Sequence, residues 1–203
     1  MKKLATAIAL AFIAGAASAG SAIKLETGSY TGTGLFADAA DFQSVVESAV
    51  TTTSWAASYD NLPVSMNNGA LESTITFDVT TPGEDWTFRA GVDFGKGGAI
   101  YLDGTAEQSY GSNMWWAGSY TTAGQYFQFT ATDLSVGKHT LTLYGLEDCC
   151  SGNQQTQFQI GSGNFTSFGT NDGLPAIPEA QNFAMLLAGL GLVGTLARRR
   201  KQA

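Results

Sequence analysis

Leu71-Glu72-Ser73-Thr74-Ile75-Thr76-Phe77-Asp78-Val79 sets mostly apolar residues at odd positions against polar ones at even positions. A side-chain period of two is that of a strand with one face buried and one face wet. Pro82-Gly83 marks a turn, and the alternation resumes at Trp86, Phe88, Ala90, Val92 and Phe94 against Thr87, Arg89, Gly91 and Asp93. Gly95-Lys96-Gly97-Gly98 reads as a hairpin turn, where glycine supplies positive φ. Residues 99–102 begin the return strand, and Asp103-Gly104 turns again. Residues 126–131, 139–146 and 156–160 read as further strands, with another over 164–168.

Six to eight short strands with turns every 8–12 residues predict an all-β fold, an antiparallel β-sandwich of jelly-roll or lectin-like type. Outside this pattern Leu35, Ala39, Phe42, Val46 and Ala49 follow a spacing of four and three, which predicts one short amphipathic helix with Asp38 or Asp41 near its start. Residues 51–69 are polar and carry Pro63 and Asn67-Asn68-Gly69, so they read as loop with at most one short strand. The stretch 104–124, rich in Gly, Ser and Tyr, reads as a long loop.

The two ends differ from the middle. Residues 1–19 carry Lys2-Lys3, an apolar Ala-rich run and Ala17-Ser18-Ala19, the three parts of an export signal peptide. The mature chain then begins at Gly20 or at Ile23. Residues 20–174 form the predicted sandwich domain. Over 175–203, Pro175 and Pro178 exclude helix interior, and Phe183–Ala197 is uncharged and apolar before Arg198-Arg199-Arg200-Lys201. Fifteen such residues are short for a span of about 17–25, but flanking arginines extend it by snorkelling and stay on the cytoplasmic side.

The whole chain of 203 residues has a net charge of −7 from 17 acidic and 10 basic side chains. Residues 20–176 hold 16 of the acids and 4 of the bases, so the middle stands at −12. Such a surface lacks the clustered cations that nucleic-acid binding needs. The aromatic content of 11 % and low charged content of 13 % argue against a disordered chain.

Pro178-Glu179, the Gly/Leu-rich apolar run and the terminal basic cluster, in that order, resemble the PEP-CTERM sorting signal of Gram-negative bacteria. Ala180 stands where that motif usually has a second proline. The resemblance implies cleavage near Pro178 and Glu179 by an exosortase-type enzyme, transient residence in the inner membrane through Phe183–Ala197, and delivery to the cell surface or an exopolysaccharide matrix. A plain C-terminal membrane anchor is the rival reading.

Cys149 and Cys150 are the only cysteines. In an oxidising compartment they form a vicinal disulfide, an intermolecular bridge, or remain two thiols. A vicinal bridge stiffens its loop, because neighbouring Cα atoms lie ~3.8 Å apart where ordinary bridges prefer about 4.4–6.8 Å. Such a knob beside Glu147 and Asp148 offers a surface to a sugar face, or is merely a stiff loop. A zinc site needs more ligands than these two cysteines and His139 supply. His139, alone of its kind, reads as a surface or edge residue.

Gly97-Gly98-Ala99-Ile100-Tyr101-Leu102-Asp103-Gly104 with Leu134–Leu143, centred on Gly137-Lys138-His139, resembles the PA14-type lectin sandwich over about residues 86–160. The Cys-Cys-x-Gly element resembles one found in a subset of PEP-CTERM proteins. The lectin resemblance implies carbohydrate binding through acidic loops, in some members with calcium. A lone Asp93 stands near the place of that family's paired aspartates. Loop oxygens suit Ca²⁺, but no D-x-[DN]-x-[DN]-G loop is present, and no metal site or cofactor is assigned.

Candidate ligand-binding residues are Asp93, Asp103, Trp115, Trp116, Glu147 and Asp148. Carboxylates order sugar hydroxyls and exposed indoles stack on sugar rings, although a buried tryptophan would serve the core instead. No nucleophile elbow, zinc-protease or phosphate-loop motif occurs. The expected role is structural or glycan-interacting, with extracellular polysaccharide as partner and no catalytic residue. The alternatives are a glycan hydrolase using Asp93, Asp103, Glu147 or Asp148 as its paired acids, and an anchored surface protein with no specific ligand.

Overall fold

The structure is a computed structural model that describes residues 20–34 and 36–176. The export signal expected over 1–19, Leu35 of the helical stripe, and the sorting segment from Ile177 onward, Pro178 and Glu179 included, lie outside the described residues. Among the described residues no helix is long and apolar enough to cross a membrane.

Among the described residues thirteen strands and one helix follow in the order β1 (Ala22–Ser29), α1 (Ala39–Ala49), β2 (Val50–Ala56), β3 (Leu62–Ser65), β4 (Gly69–Val79), β5 (Trp86–Gly91), β6 (Asp93–Phe94), β7 (Gly98–Leu102), β8 (Thr105–Tyr110), β9 (Met114–Trp115), β10 (Tyr126–Ala131), β11 (Gly137–Glu147), β12 (Ser151–Ile160) and β13 (Thr166–Ser167). One sheet runs β2-β1-β4-β11-β7-β8, a second runs β10-β5-β12-β13 with β3 also on β12, and β6 pairs with β9. All named pairings are antiparallel. The two large sheets enclose one core, as an all-β sandwich requires.

That core is aromatic. Phe77 of the first sheet stacks on Trp86 of the second at 5.4 Å, and Phe158 lies 4.8 Å from Phe168. The odd-numbered residues of β4 and β11 supply the facing wall with Leu71, Ile75, Phe77, Leu141 and Leu143, all fully buried. A smaller core lies on the other face of the first sheet, where α1 buries Phe42 and Val46 against Ala70, Ala99, Tyr101, Tyr144 and Leu146. Each of those two side chains contributes about 1.5–3 kcal/mol by leaving water. Asp38 stands at the helix N-cap without a side-chain hydrogen bond, and Asp41 lies in the first turn, where the helix dipole favours its charge.

Several expectations need correction. Residues 51–69 are not mainly loop. Val50–Ala56 is an edge strand exposed along most of its length, so no alternation betrays it, and the β-branched run Val50-Thr51-Thr52-Thr53 carries the strand preference instead. Strand β1, with Ile23 buried, is a further element that the sequence pattern does not predict. The stretch 104–124 contains β8 and β9. Gly95-Lys96-Gly97 does turn the chain, with the Gly97 amide donating to the Phe94 carbonyl at 2.9 Å. It does not close a hairpin, because β6 pairs with β9 while β7 joins β11 and β8.

His139 is not a surface residue. It is only 6 % exposed, lies against Phe77, and its Nδ1 and Nε2 sit 2.6 Å from Asp103 Oδ2 and 2.7 Å from the Ser135 carbonyl.

Candidate functional site

The strands of the first sheet run from one end of the sandwich to the other. At one end, β11 finishes at Glu147 opposite Gly69 of β4, and Gly69 lies opposite Ser29 of β1. Four of the six candidate ligand residues gather here. Asp93 and Trp115 face each other across the β6–β9 pair, and directly opposed residues project to the same side with Cβ atoms about 4.5–5.5 Å apart. Gly152 packs flat on the Asp93 side chain, leaving no room for a Cβ. Glu147 ends β11 and Asp148 opens the loop to β12.

The charges at this end have separate tasks. Glu147 is 4 % exposed and works inward. Its Oε2 accepts the Gly95 amide at 2.9 Å, and its Oε1 accepts the amides of Asp148 at 3.0 Å and Cys149 at 3.1 Å. Burial, and next the charge of Asp93, push its pKa up, while those three amides pull it back. Burial likewise raises Asp93. Lys96 is buried along its stem and reaches Asp148 at 3.2 Å and the Asn68 side-chain oxygen at 3.3 Å. The loop is thereby tied from three sides. Cys149 and Cys150 are paired with each other, their Cα atoms 3.7 Å apart, and Cys150 takes a φ of 81°.

Trp115 is 62 % exposed and its backbone amide is held by the Gln125 side chain. It borders two hollows. One, of about 310 Å³, is lined by Asn61, Trp115, Trp116, Ala117, Gly118 and Asn153. The other, of about 180 Å³, is lined by Trp115, Ala117, Ser119, Thr122 and Gln125. An exposed indole flanked by side-chain amides and hydroxyls presents one flat apolar surface with hydrogen-bond partners at its rim.

Two candidate residues stand elsewhere in role or place. Trp116 is 7 % exposed and fills the space over Gly91, so it serves packing and contributes only to a wall of the larger hollow. Asp103 is at the opposite end. It lies in the β7–β8 turn with φ 50°, where its Oδ1 accepts the Thr140 amide at 2.7 Å and its Oδ2 meets His139. Thr140 is seven strand positions from Glu147, about 23 Å, so Asp103 and Glu147 cannot flank one sugar bond. Among the described residues no group of three or more His, Cys, Asp or Glu side chains is placed to hold a metal ion.

Asn61, Asn153 and Gln125 were not foreseen as site residues. Asn61 carries φ 54° and meets Asn153 at the larger hollow only through the β3–β12 pairing, while Gln125 lines the smaller one.

No family model matches the chain, and no curated protein matches it. Among solved structures it is similar to the PA14 domain of the MpAFP antifreeze protein, with a TM-score of 0.50 and 12 % identity over 87 % of this chain and 96 % of that one. The likeness is one of fold, a PA14-type β-sandwich. A PA14 sugar-binding domain from an RTX adhesin gives 0.49 at 12 % identity, covering 79 % of this chain and all of that one. The Epithelial Adhesin 9 A domain of Candida glabrata, solved with Galβ1-3GlcNAc, gives 0.49 at 7 % identity over 82 % and 93 %.

Proposed function

We propose that this is an exported surface or matrix protein whose sandwich binds a glycan at the Trp115 end. The observation that carries the reading is the 62 % exposed Trp115 on a hollow of about 310 Å³ with Asn61 and Asn153 beside it. A stacked indole gives affinity for the apolar face of a sugar ring, and amides give hydrogen bonds to its hydroxyls. Residues 1–19 act as the export signal, 20–174 as the binding domain and 175–203 as the PEP-CTERM-like sorting segment, cleaved near Pro178 and Glu179 by an exosortase-type enzyme.

What weighs against the hydrolase reading is the state of the acids. Both oxygens of Glu147 are committed to backbone amides, Asp148 is paired with Lys96, and Asp103 is at the other end of the sandwich. A general acid and a second carboxylate within about 5–9.5 Å, both free for the substrate, are not supplied by this set.

The test is a glycan array probed with the purified protein and with Trp115→Ala. Loss of the array signal with an unchanged melting temperature supports the reading. A signal that survives Trp115→Ala, or no signal with the unaltered protein, overturns it.

A further inference from the structure

The outer face of the second sheet carries one side chain that its surroundings leave half-satisfied. Arg89 lies on β5, opposite Gln128 of β10 on one side and Gln157 of β12 on the other. Its guanidinium is held between two rings, 3.9 Å from the centroid of Tyr120 and 3.6 Å from that of Phe165. These rings arrive from separate loops, β9–β10 and β12–β13. Its Nε donates to Gln157 Oε1 at 2.7 Å. The Tyr120 hydroxyl donates to the Gln155 carbonyl at 2.9 Å, which fixes that ring.

No carboxylate among the described residues lies within 4 Å of Arg89. Asp60, which shares this face, accepts from the Gln155 amide and from Ser167 instead. Neutral aromatic rings stabilise a cation but do not cancel its charge. Both rings lie within 4 Å of the guanidinium carbon and hold it in place. What remains is the in-plane fork of N–H donors, whose geometry matches a carboxylate with two parallel hydrogen bonds. In a domain of net −12, a cation kept in place by two aromatics with no acid of its own is a site prepared for an anion from outside.

The neighbourhood says which kind. Along β12, Asn153, Gln155 and Gln157 share one face, because Gln154 and Thr156 between them are fully buried. Asn153 lines the Trp115 hollow and Gln157 holds Arg89. The two points are four strand positions apart, about 13 Å, along a polar strip of amides. We infer that Arg89 binds the carboxylate of a uronic-acid unit in the same glycan that occupies the Trp115 hollow. This rests on the glycan reading above and narrows it to an acidic polysaccharide. The overall negative charge does not forbid it, because charges beyond about 8 Å are largely screened at physiological salt.

The experiment measures binding of the full chain to polygalacturonate, to the same polymer with its carboxyls reduced to alcohols, and to a neutral dextran. Arg89→Gln and Arg89→Lys are compared with the unaltered protein, and their folding is checked by thermal melts. Loss of a hydrogen-bonded carboxylate predicts a Kd for polygalacturonate about tenfold or more higher in both variants, with Lys failing because it lacks the planar fork. The reduced polymer binds the unaltered protein as weakly as polygalacturonate binds Arg89→Gln. Should the variants not fold, the Arg89 Nε–H resonance of the ¹⁵N-labelled natural protein decides: it shifts with oligogalacturonate and not with the reduced oligomer. Equal binding of polygalacturonate by Arg89→Gln, equal binding of the reduced polymer, or an unmoved resonance overturns the inference. Binding of dextran that is lost in Trp115→Ala leaves the Trp115 reading standing even then.

Discussion

Asp172 holds Ser21 across 151 positions of sequence. Its Oδ2 accepts the Ser21 hydroxyl at 2.6 Å, the Ser21 amide at 3.2 Å and the Gly169 amide at 3.1 Å, while Oδ1 accepts the Leu174 amide at 3.0 Å. The start of β1 and the end of the sandwich are thus bound by one carboxylate. Ser21 adjoins the end of β1 opposite Ser29, and Ser29 lies in the register of Gly69 and Glu147. Ser21 and Asp172 therefore stand at the end of β1 away from Glu147.

Asp172→Ala strips the Ser21 hydroxyl and the Gly169 and Leu174 amides of their acceptor, while the Ser21 amide keeps the Gly169 carbonyl; Ser21 is only 2 % exposed. The expected loss is about 2–4 kcal/mol, a fall in melting temperature of about 4–16 °C for a chain of this size. Asp172→Asn keeps one acceptor oxygen and falls less. A melt of Asp172→Ala within about 2 °C of the unaltered protein refutes the clasp.

Asp103 has a comparable duty in the β7–β8 turn. Asp103→Ala removes the acceptor of the Thr140 amide and the partner of His139, and puts a residue without a local hydrogen-bonding side chain at φ 50°. The expected cost is about 1–3 kcal/mol. Asparagine, which tolerates this conformation, recovers part of it. Glycan affinity stays unchanged in both, since the turn is about 23 Å from Glu147. Weakened binding with an unaltered melt would instead make Asp103 a ligand residue.

The central strands were legible because both of their faces have fixed environments. In β4 and β11 every second side chain meets the core, so hydrophobic periodicity survives in the sequence. Strand β2 meets water on nearly all sides, and β8 and β9 are too exposed or too short to alternate. For the site, Asp93, Trp115, Glu147 and Asp148 were found as chemically suitable residues, and they are neighbours. Which tryptophan faces outward was not readable from Trp115-Trp116, because it depends on Gly91 making room for Trp116. The Asp172 clasp was not readable either, since nothing local to Asn171-Asp172-Gly173 reveals that Ser21 lies against it.

Stability should rise on mild acidification. Burial raises the pKa of Asp93, Glu147 and Glu72 above their ordinary values of 3.8, 4.5 and 4.5. A carboxyl whose folded pKa is raised costs stability once ionised, so its full contribution is present below the unfolded pKa and lost as pH rises through the folded one. Self-repulsion of a −12 domain acts in the same direction. The melting temperature at pH 5.5 is therefore expected above that at pH 7.5, with a flatter profile for Asp93→Asn. A lower value at pH 5.5 contradicts this account.

Reduction of Cys149–Cys150 should change the loop more than the fold. A cross-link between adjacent residues closes almost no chain, so its entropic stabilisation is about 1 kcal/mol, worth about 2–4 °C in melting temperature. The loop also keeps its other ties, namely Glu147 to the amides of Asp148 and Cys149 and Lys96 to Asp148. Cys150 nevertheless holds φ 81°, a conformation that an L-residue adopts at a cost of order 1–3 kcal/mol. Freed from its neighbour it relaxes, and Gly152, packed on Asp93 two residues later, moves with it. Thiol reductant should thus lower the melt by only a few degrees while weakening glycan binding at the Trp115 end. Cys149→Ser with Cys150→Gly should melt above Cys149→Ser with Cys150→Ser, because glycine takes positive φ freely. Differential scanning calorimetry beside binding titrations reads both effects. Unchanged affinity after mass spectrometry has confirmed two free thiols would show that the bridge does not shape the site.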